Sequence, residues 1–223
     1  MSGISGPKII TSGCVLSLDA AERLSYPRTG TTWRDLSGNN NNGTLTNGPT
    51  FSAVNGGCIV FDGVDDYVDV ANASSLNASA QTINIWYNAT TLPGRSATII
   101  GKHDSFGSFN GYNILTVNFA QIKPASGGTS VGDGVGIASV WYFLTLKFTI
   151  NSSATIYVNA VNRGTGALGN FTMSSSPLLL GKSLDSFWSL FTGKIANVSI
   201  YNRELSDIEI QQNYNATKSR FGR

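Results

Sequence analysis

The sequence predicts an all-β, antiparallel jelly-roll sandwich with one short C-terminal helix, and three observations lead there. Apolar residues alternate with polar ones in short runs. Glycine is abundant, at 25 of 223 residues. Charged residues make up only 13%, which suits a chain of tight turns around a core and argues against disorder. No repeat at solenoid or propeller spacing is present, so a jelly roll is the specific expectation for the sandwich.

Strand signals occur at 14–18 (CVLSL), 58–61 (CIVF), 97–101, 112–119, 154–159, 178–181 and 194–201. Two more alternate with period two. In 81–88 (QTINIWYN), Ile83, Ile85 and Tyr87 share one face, and Thr82, Asn84, Trp86 and Asn88 the other. In 140–150, the strongest strand, Tyr142, Leu144, Leu146 and Phe148 oppose Trp141, Phe143, Thr145 and Lys147. Asn151-Ser152-Ser153 reads as a hairpin turn into the next strand. Between 31 and 70, Asn39 to Gly43 and the Asp62–Asp66 region read as two Asp/Asn-rich turns at strand ends. Leu115 and Val117 are core candidates, and 127–136 reads as a loop or a loosely paired edge. The helix spans 206–216: Ser206 and Glu209 form a capping box, and Leu205 with Ile210 a hydrophobic staple. The chain reads as one domain, 1–223, with an N-terminal arm (1–12) and a basic tail (217–223) expected to be solvated.

A net charge of +2 gives no field to gather nucleic acid. Residues 1–10 lack the apolar core of a secretion signal, and no run reaches a membrane span, so no membrane insertion is expected. Cys14 and Cys58, both inside apolar runs, read as buried free thiols made in a reducing cytoplasm.

Several segments resemble a laminin-G-like domain of the concanavalin-A-like lectin/glucanase superfamily: WRDLSGN (33–39), FDGVDDYV (61–68), TIYVN (155–159), GKI (193–195) and IYNRELS (200–206). They lie in family order over nearly the whole chain. The opening, PKII (7–10) through LDAA (18–21) to SYP (25–27), is similar to domains carried on tailed-phage particles. That resemblance implies a virion-surface subunit assembled in the host cytoplasm, a homo-oligomer packing on other virion proteins and in contact with host glycans. Two departures stand out. Ala196-Asn197 replace the Asp-Glu that family members often carry, which weakens any calcium site drawing on that pair. Ala160 replaces a usual turn glycine.

The superfamily's glucanases resemble one another in a Glu-x-Asp-x-(x)-Glu strand, but Glu22, Glu204 and Glu209 lie on no strand with a second carboxylate nearby. The single His103 has no recognisable Ser or Cys partner. The chain therefore reads as non-enzymatic. Asp35, Asn39, Asp62, Asp65 and Asp66 offer oxygen ligands of the kind Ca²⁺ takes, yet they suit turns better, and no cofactor is expected. Trp86, Trp141 and Tyr157, beside Asn84, Asn88 and Asn159, form a sugar-stacking face unless both faces of the sheet are buried. Two loops are further binding candidates: 102–112, with His103, Asp104 and Tyr112, and 185–188, with Asp185, Phe187 and Trp188. The second is either a contact surface or a lid over the core. The expected function is a structural and adhesion subunit of a phage particle, as capsid decoration or tail fibre. The alternatives are a free carbohydrate-binding module of a bacterial surface protein and a glycoside hydrolase using the Asp cluster.

Overall fold

A computed structural model describes residues 7–92, 96–104, 110–117, 119–123, 129–132, 134 and 136–223. Two antiparallel sheets pack face to face. The first joins β14 (Val161–Ala167), β13 (Ser153–Val158), β12 (Trp141–Thr149), β7 (Ala80–Ala89), β16 (Thr192–Tyr201), β5 (Cys58–Asp62) and β4 (Thr50–Ser52). In it, β1 (Cys14–Asp19) pairs with residues 197–201 of β16. The second joins β11 (Thr129–Gly132), β10 (Phe119–Lys123), β9 (Gly111–Leu115), β8 (Thr98–His103), β15 (Leu178–Leu180), β6 (Tyr67–Val70), β3 (Gly43–Thr46) and β2 (Thr32–Trp33).

The expected alternation places the core. Ile83, Ile85 and Tyr87 of β7 and Leu144, Leu146 and Phe148 of β12 meet Ile100, Ile114 and Val68 of the second sheet in one buried cluster. Each such side chain contributes about 1.5–3 kcal/mol on leaving water. The 151–153 turn joins β12 to β13 with Thr149 opposite Ser153, as the sequence requires.

Some elements differ from expectation. The run 112–119 is broken: β9 ends at Leu115, and β10 returns antiparallel from Phe119. Val117 therefore falls between the strands, while Leu115 is buried as expected and Tyr112 and Ile114 join the core cluster. The strand β14 was not foreseen. Its sequence, VNRGTGA, has poor strand propensity, but as an edge it needs only backbone pairing with β13.

The outer face of the first sheet is closed by the C-terminus. Helix α1 (Asp207–Thr217) carries the expected capping box between Ser206 and Glu209, with Leu205 and Ile210 both buried. A 3₁₀ turn, Lys218–Phe221, follows. Together they cover Trp86, Phe143 and Tyr157 in a second apolar cluster with Cys58, Tyr201 and Phe221. This corrects two expectations. Trp86 is fully buried and offers no face to a sugar: its ring stacks on Phe221 at 4.0 Å, and its Nε1–H donates to Thr217 Oγ1 at 2.8 Å. The tail is not wholly solvated either: Ser219, Gly222 and Arg223 are exposed, but Phe221 is buried and Arg220 is tied down. Arg220 pairs with Asp19 at 2.9 Å and donates to the carbonyls of Asn55 and Gly57. Strands with aromatic residues on both faces need two covers, and the helix supplies the second.

The arm is pinned to the same helix. Ile10 N–H donates to Asn213 Oδ1 at 2.8 Å, and Gln212 Nε2 donates to the Lys8 carbonyl at 2.8 Å. Cys14 and Cys58 are free thiols, and burial pushes the Cys14 pKa up to about 11. No helix among the described residues is long and apolar enough to cross a membrane.

Candidate ligand-binding site

A nine-residue excursion, residues 182–190, leaves the sandwich between β15 and β16. It begins at Gly181, whose backbone lies at φ +86°, where a Cβ would sit 2.7 Å from the Phe61 ring. Only glycine passes there without strain. The excursion ends at Phe191, fully buried against Phe61 and Tyr87 with ring centroids 5.8 and 6.4 Å away. Phe191 N–H donates to the Gly181 carbonyl at 2.9 Å and clasps the base of the loop.

Polar residues hold the loop from within. Asp185 Oδ1 accepts the Phe187 N–H at 2.9 Å, and Trp188 N–H donates to the Asp185 carbonyl at 3.3 Å. Ser183 Oγ accepts the Asp185 N–H at 3.0 Å and lies 3.0 Å from His103 Nε2. His103 Nδ1 is 2.7 Å from the Asp104 carbonyl. A carbonyl only accepts, so Nδ1 carries the proton and Nε2 receives the Ser183 hydroxyl. Burial lowers the pKa of His103, which keeps the ring neutral and this relay intact.

The loop encloses a recess of about 700 Å³, lined also by Gly63, Thr91 and Thr192. At its rim Phe187 is 49% exposed, and its ring meets that of Trp188 edge-on at 4.9 Å. Lys182 Nζ sits 4.4 Å from the centre of the Tyr67 ring, held by a cation–π contact. Asp185 is buried at 8% exposure, its Oδ2 accepts no bond among the described residues, and half-buried Lys182 is the second charged group of the loop lining the recess.

The predicted residues thus divide. Phe187 and Trp188 line the recess, and Asp185 shapes its loop. His103, 2% exposed, supports the loop from beneath. Asp104 accepts the Ser174 hydroxyl and Asn110 Nδ2 and ties down a neighbouring segment. Tyr112 is fully buried, packed on Phe148 at 5.7 Å, and contributes to the core. Residues 105–109 of the first candidate loop lie outside the described residues. Sequence reasoning missed Lys182 and Tyr67, which are far apart in the chain and adjacent only across β15 and β6.

The five candidate calcium ligands also separate. Asp35 is spent on the loop after β2: its two oxygens accept from Ser17 N, Ser37 N, Ser37 Oγ and Asn41 N. Asp62, Asp65 and Asp66 gather their carboxylates within 4.8 Å of one another. Asp62 Oδ1 already accepts the Val64 N–H, however, and Asp66 Oδ2 the Asp62 N–H. Ca²⁺ takes about six to eight oxygens, and two of the cluster's carboxylate oxygens are already engaged in its own turn. The substitution at Ala196-Asn197 does not bear on it. Asp62 pairs with Thr192, and position 196 lies four residues further on, about 13 Å along the strand.

Two antiparallel sheets packed face to face make a β-sandwich, an architecture that the concanavalin A-like class shares with others. A family model described as Concanavalin A-like lectin/glucanases superfamily matches residues 62–211, in its laminin-G branch, and the chain belongs to this family. Comparison with curated proteins gives no match. Among solved structures, the chain is similar to the binding domain of Paraclostridial Mosquitocidal Protein 1, at TM-score 0.73 and 16% identity over 92% of this chain and 52% of that one. It is similar to the ligand binding domain of botulinum neurotoxin serotype D in complex with N-acetylneuraminic acid, at TM-score 0.73 and 16% identity, covering 92% and 51%. It is also similar to domain 4 of AbnA, an extracellular arabinanase from Geobacillus stearothermophilus, in complex with arabinotriose, at TM-score 0.69 and 17% identity, covering 90% and 98%. The chain spans about half the length of the toxin binding domains.

Proposed function

We propose that this protein is a non-catalytic glycan-binding module whose ligand enters the recess at residues 182–192. The observation that carries this reading is the edge-on Phe187–Trp188 pair over a recess supplied with hydrogen-bonding groups. Sugar rings stack their C–H faces on aromatic rings, and Lys182 in the lining supplies a hydrogen-bond donor for the hydroxyls. The loop is clasped at its base and braced by His103, so little ordering entropy opposes binding. Two solved neighbours carry sugars, N-acetylneuraminic acid in one and arabinotriose in the other. As a hydrolase the chain lacks support: Asp62 and Asp66 hold the backbone amides of their own turn.

We infer further that its setting is the surface of a tailed-phage particle, as a capsid-decorating or tail-fibre subunit that packs on virion proteins as a homo-oligomer. The resemblance of residues 7–27 to such proteins supports this. In the fold, β16 runs from the recess at Thr192 to Tyr201, where β1 and the N-terminal arm join. Its ten residues span about 33 Å, so arm and recess occupy opposite ends of the sandwich.

A glycan array tests the binding reading, with wild-type protein beside a Phe187→Ala/Trp188→Ala double variant. Saturable wild-type signal that falls at least tenfold in the variant, at unchanged melting temperature, is the expected result. No bound glycan, or equal binding by the two proteins, overturns it. Detection of the chain in purified phage particles tests the setting, and its absence from them refutes that part.

A further inference from the structure

A separate recess, about 300 Å³, lies on the outer face of the first sheet under the arm and helix α1. Its floor follows from strand register. Ser17 pairs with Ser199 and Ser199 with Asn84; in the next row Asp19 pairs with Asn197. Aromatic residues continue these rows where the helix packs down, and among the described residues the polar ends line the recess. Asn84 is 2% exposed, and its Oδ1 accepts the Thr145 hydroxyl at 2.7 Å. Among the described residues its amide nitrogen finds only Ser199 Oγ, at 3.4 Å, which is long for a hydrogen bond. A buried donor left this poorly satisfied costs free energy that a ligand oxygen would restore. The Asn197 amide makes no side-chain hydrogen bond among the described residues. Ile9 and Leu36, 45% and 43% exposed, line the recess with apolar surface beside this polar floor.

We propose that this recess is a second binding site, for a single neutral sugar unit. The volume matches the lower end, about 300 Å³, of small-ligand pockets, too small for an extended chain. Amide and serine hydroxyl groups along the floor match a ring of hydroxyls, and the apolar side chains match its C–H face. The Glu22 carboxylate in the lining repels an anionic sugar, while Asp19 is neutralised by Arg220. The site does not depend on the Phe187–Trp188 recess.

Titration of ¹⁵N-labelled protein with D-galactose, L-arabinose, D-glucose and N-acetylglucosamine tests it through the side-chain amide signals of Asn84 and Asn197. At least one of these sugars is expected to shift both signals saturably. Asn197→Phe, which fills the void, is expected to weaken that binding at least tenfold, and Phe187→Ala/Trp188→Ala to leave it unchanged. If Asn197→Phe does not fold, the wild-type titration decides alone. The proposal is overturned if none of the four sugars shifts Asn84 and Asn197 saturably. It is equally overturned if the response survives in folded Asn197→Phe, or disappears only in the double variant.

Discussion

Trp86→Ala separates a scaffold role from a ligand role for a residue that the sequence offers as a sugar platform. The indole is fully buried, stacked on Phe221 at 4.0 Å and near Phe143 and Tyr214 at 5.4 and 5.9 Å. Removing a buried tryptophan costs about 3–5 kcal/mol through lost transfer energy and the cavity left behind. The lost Nε1–H bond adds little, because Thr217 Oγ1 keeps its own bond to the Asn213 carbonyl. About 4 kcal/mol against a urea slope of about 2.5 kcal/mol/M lowers the unfolding midpoint by about 1.6 M. Far-UV circular dichroism is the suitable probe, since the substitution itself alters tryptophan fluorescence. Trp188→Ala, at the recess, is expected to change stability by no more than about 0.5 kcal/mol, which moves the midpoint by about 0.2 M. A Trp86→Ala protein as stable as wild type, or one that loses glycan binding while its stability is intact, would refute the burial of this ring beneath the helix.

Three further outcomes are expected. Arg220→Ala removes the Asp19 pair and two carbonyl bonds, and in thermal and chemical denaturation it should cost about 2–3 kcal/mol. Glu209 is held down to a pKa of about 2 by Arg203, so its contribution is present above about pH 4.5 and lost as pH falls towards 2. Glu209→Gln should flatten the acid limb of stability measured across that window. Lys102 Nζ donates to Asn72 Oδ1 and to the Ser174 and Ser176 carbonyls, and burial lowers its pKa from 10.5 to about 8. Between those values the unfolded chain binds more protons, so this residue makes stability rise with pH there. The difference between wild type and Lys102→Met should therefore climb by about 3 kcal/mol from pH 8 to 10.5; a flat difference would contradict the burial of the amine.

The sequence by itself determined the sandwich, the core-facing halves of β7 and β12, the 151–153 hairpin and the capped helix. All of these are local: period-two alternation, turn residues and a capping box act within a few positions. Phe187 and Trp188 were legible for the same reason, as an excess of aromatic surface in a loop. What only the tertiary structure decided is where that helix lies. A strand cannot tell whether its second aromatic face meets water or another element, so the sequence left Trp86 either a sugar platform or a buried floor, and the helix makes it the floor. The basic tail read as solvent-exposed because nothing near it in sequence reveals Asp19, Asn55 and Gly57, which are its partners. The split of the Asp and Asn loops, the recess under α1 and the Lys182–Tyr67 contact depend likewise on pairing between strands distant in the chain. Such contacts are fixed by the packing of the whole sheet and leave no short-range mark in the order of residues.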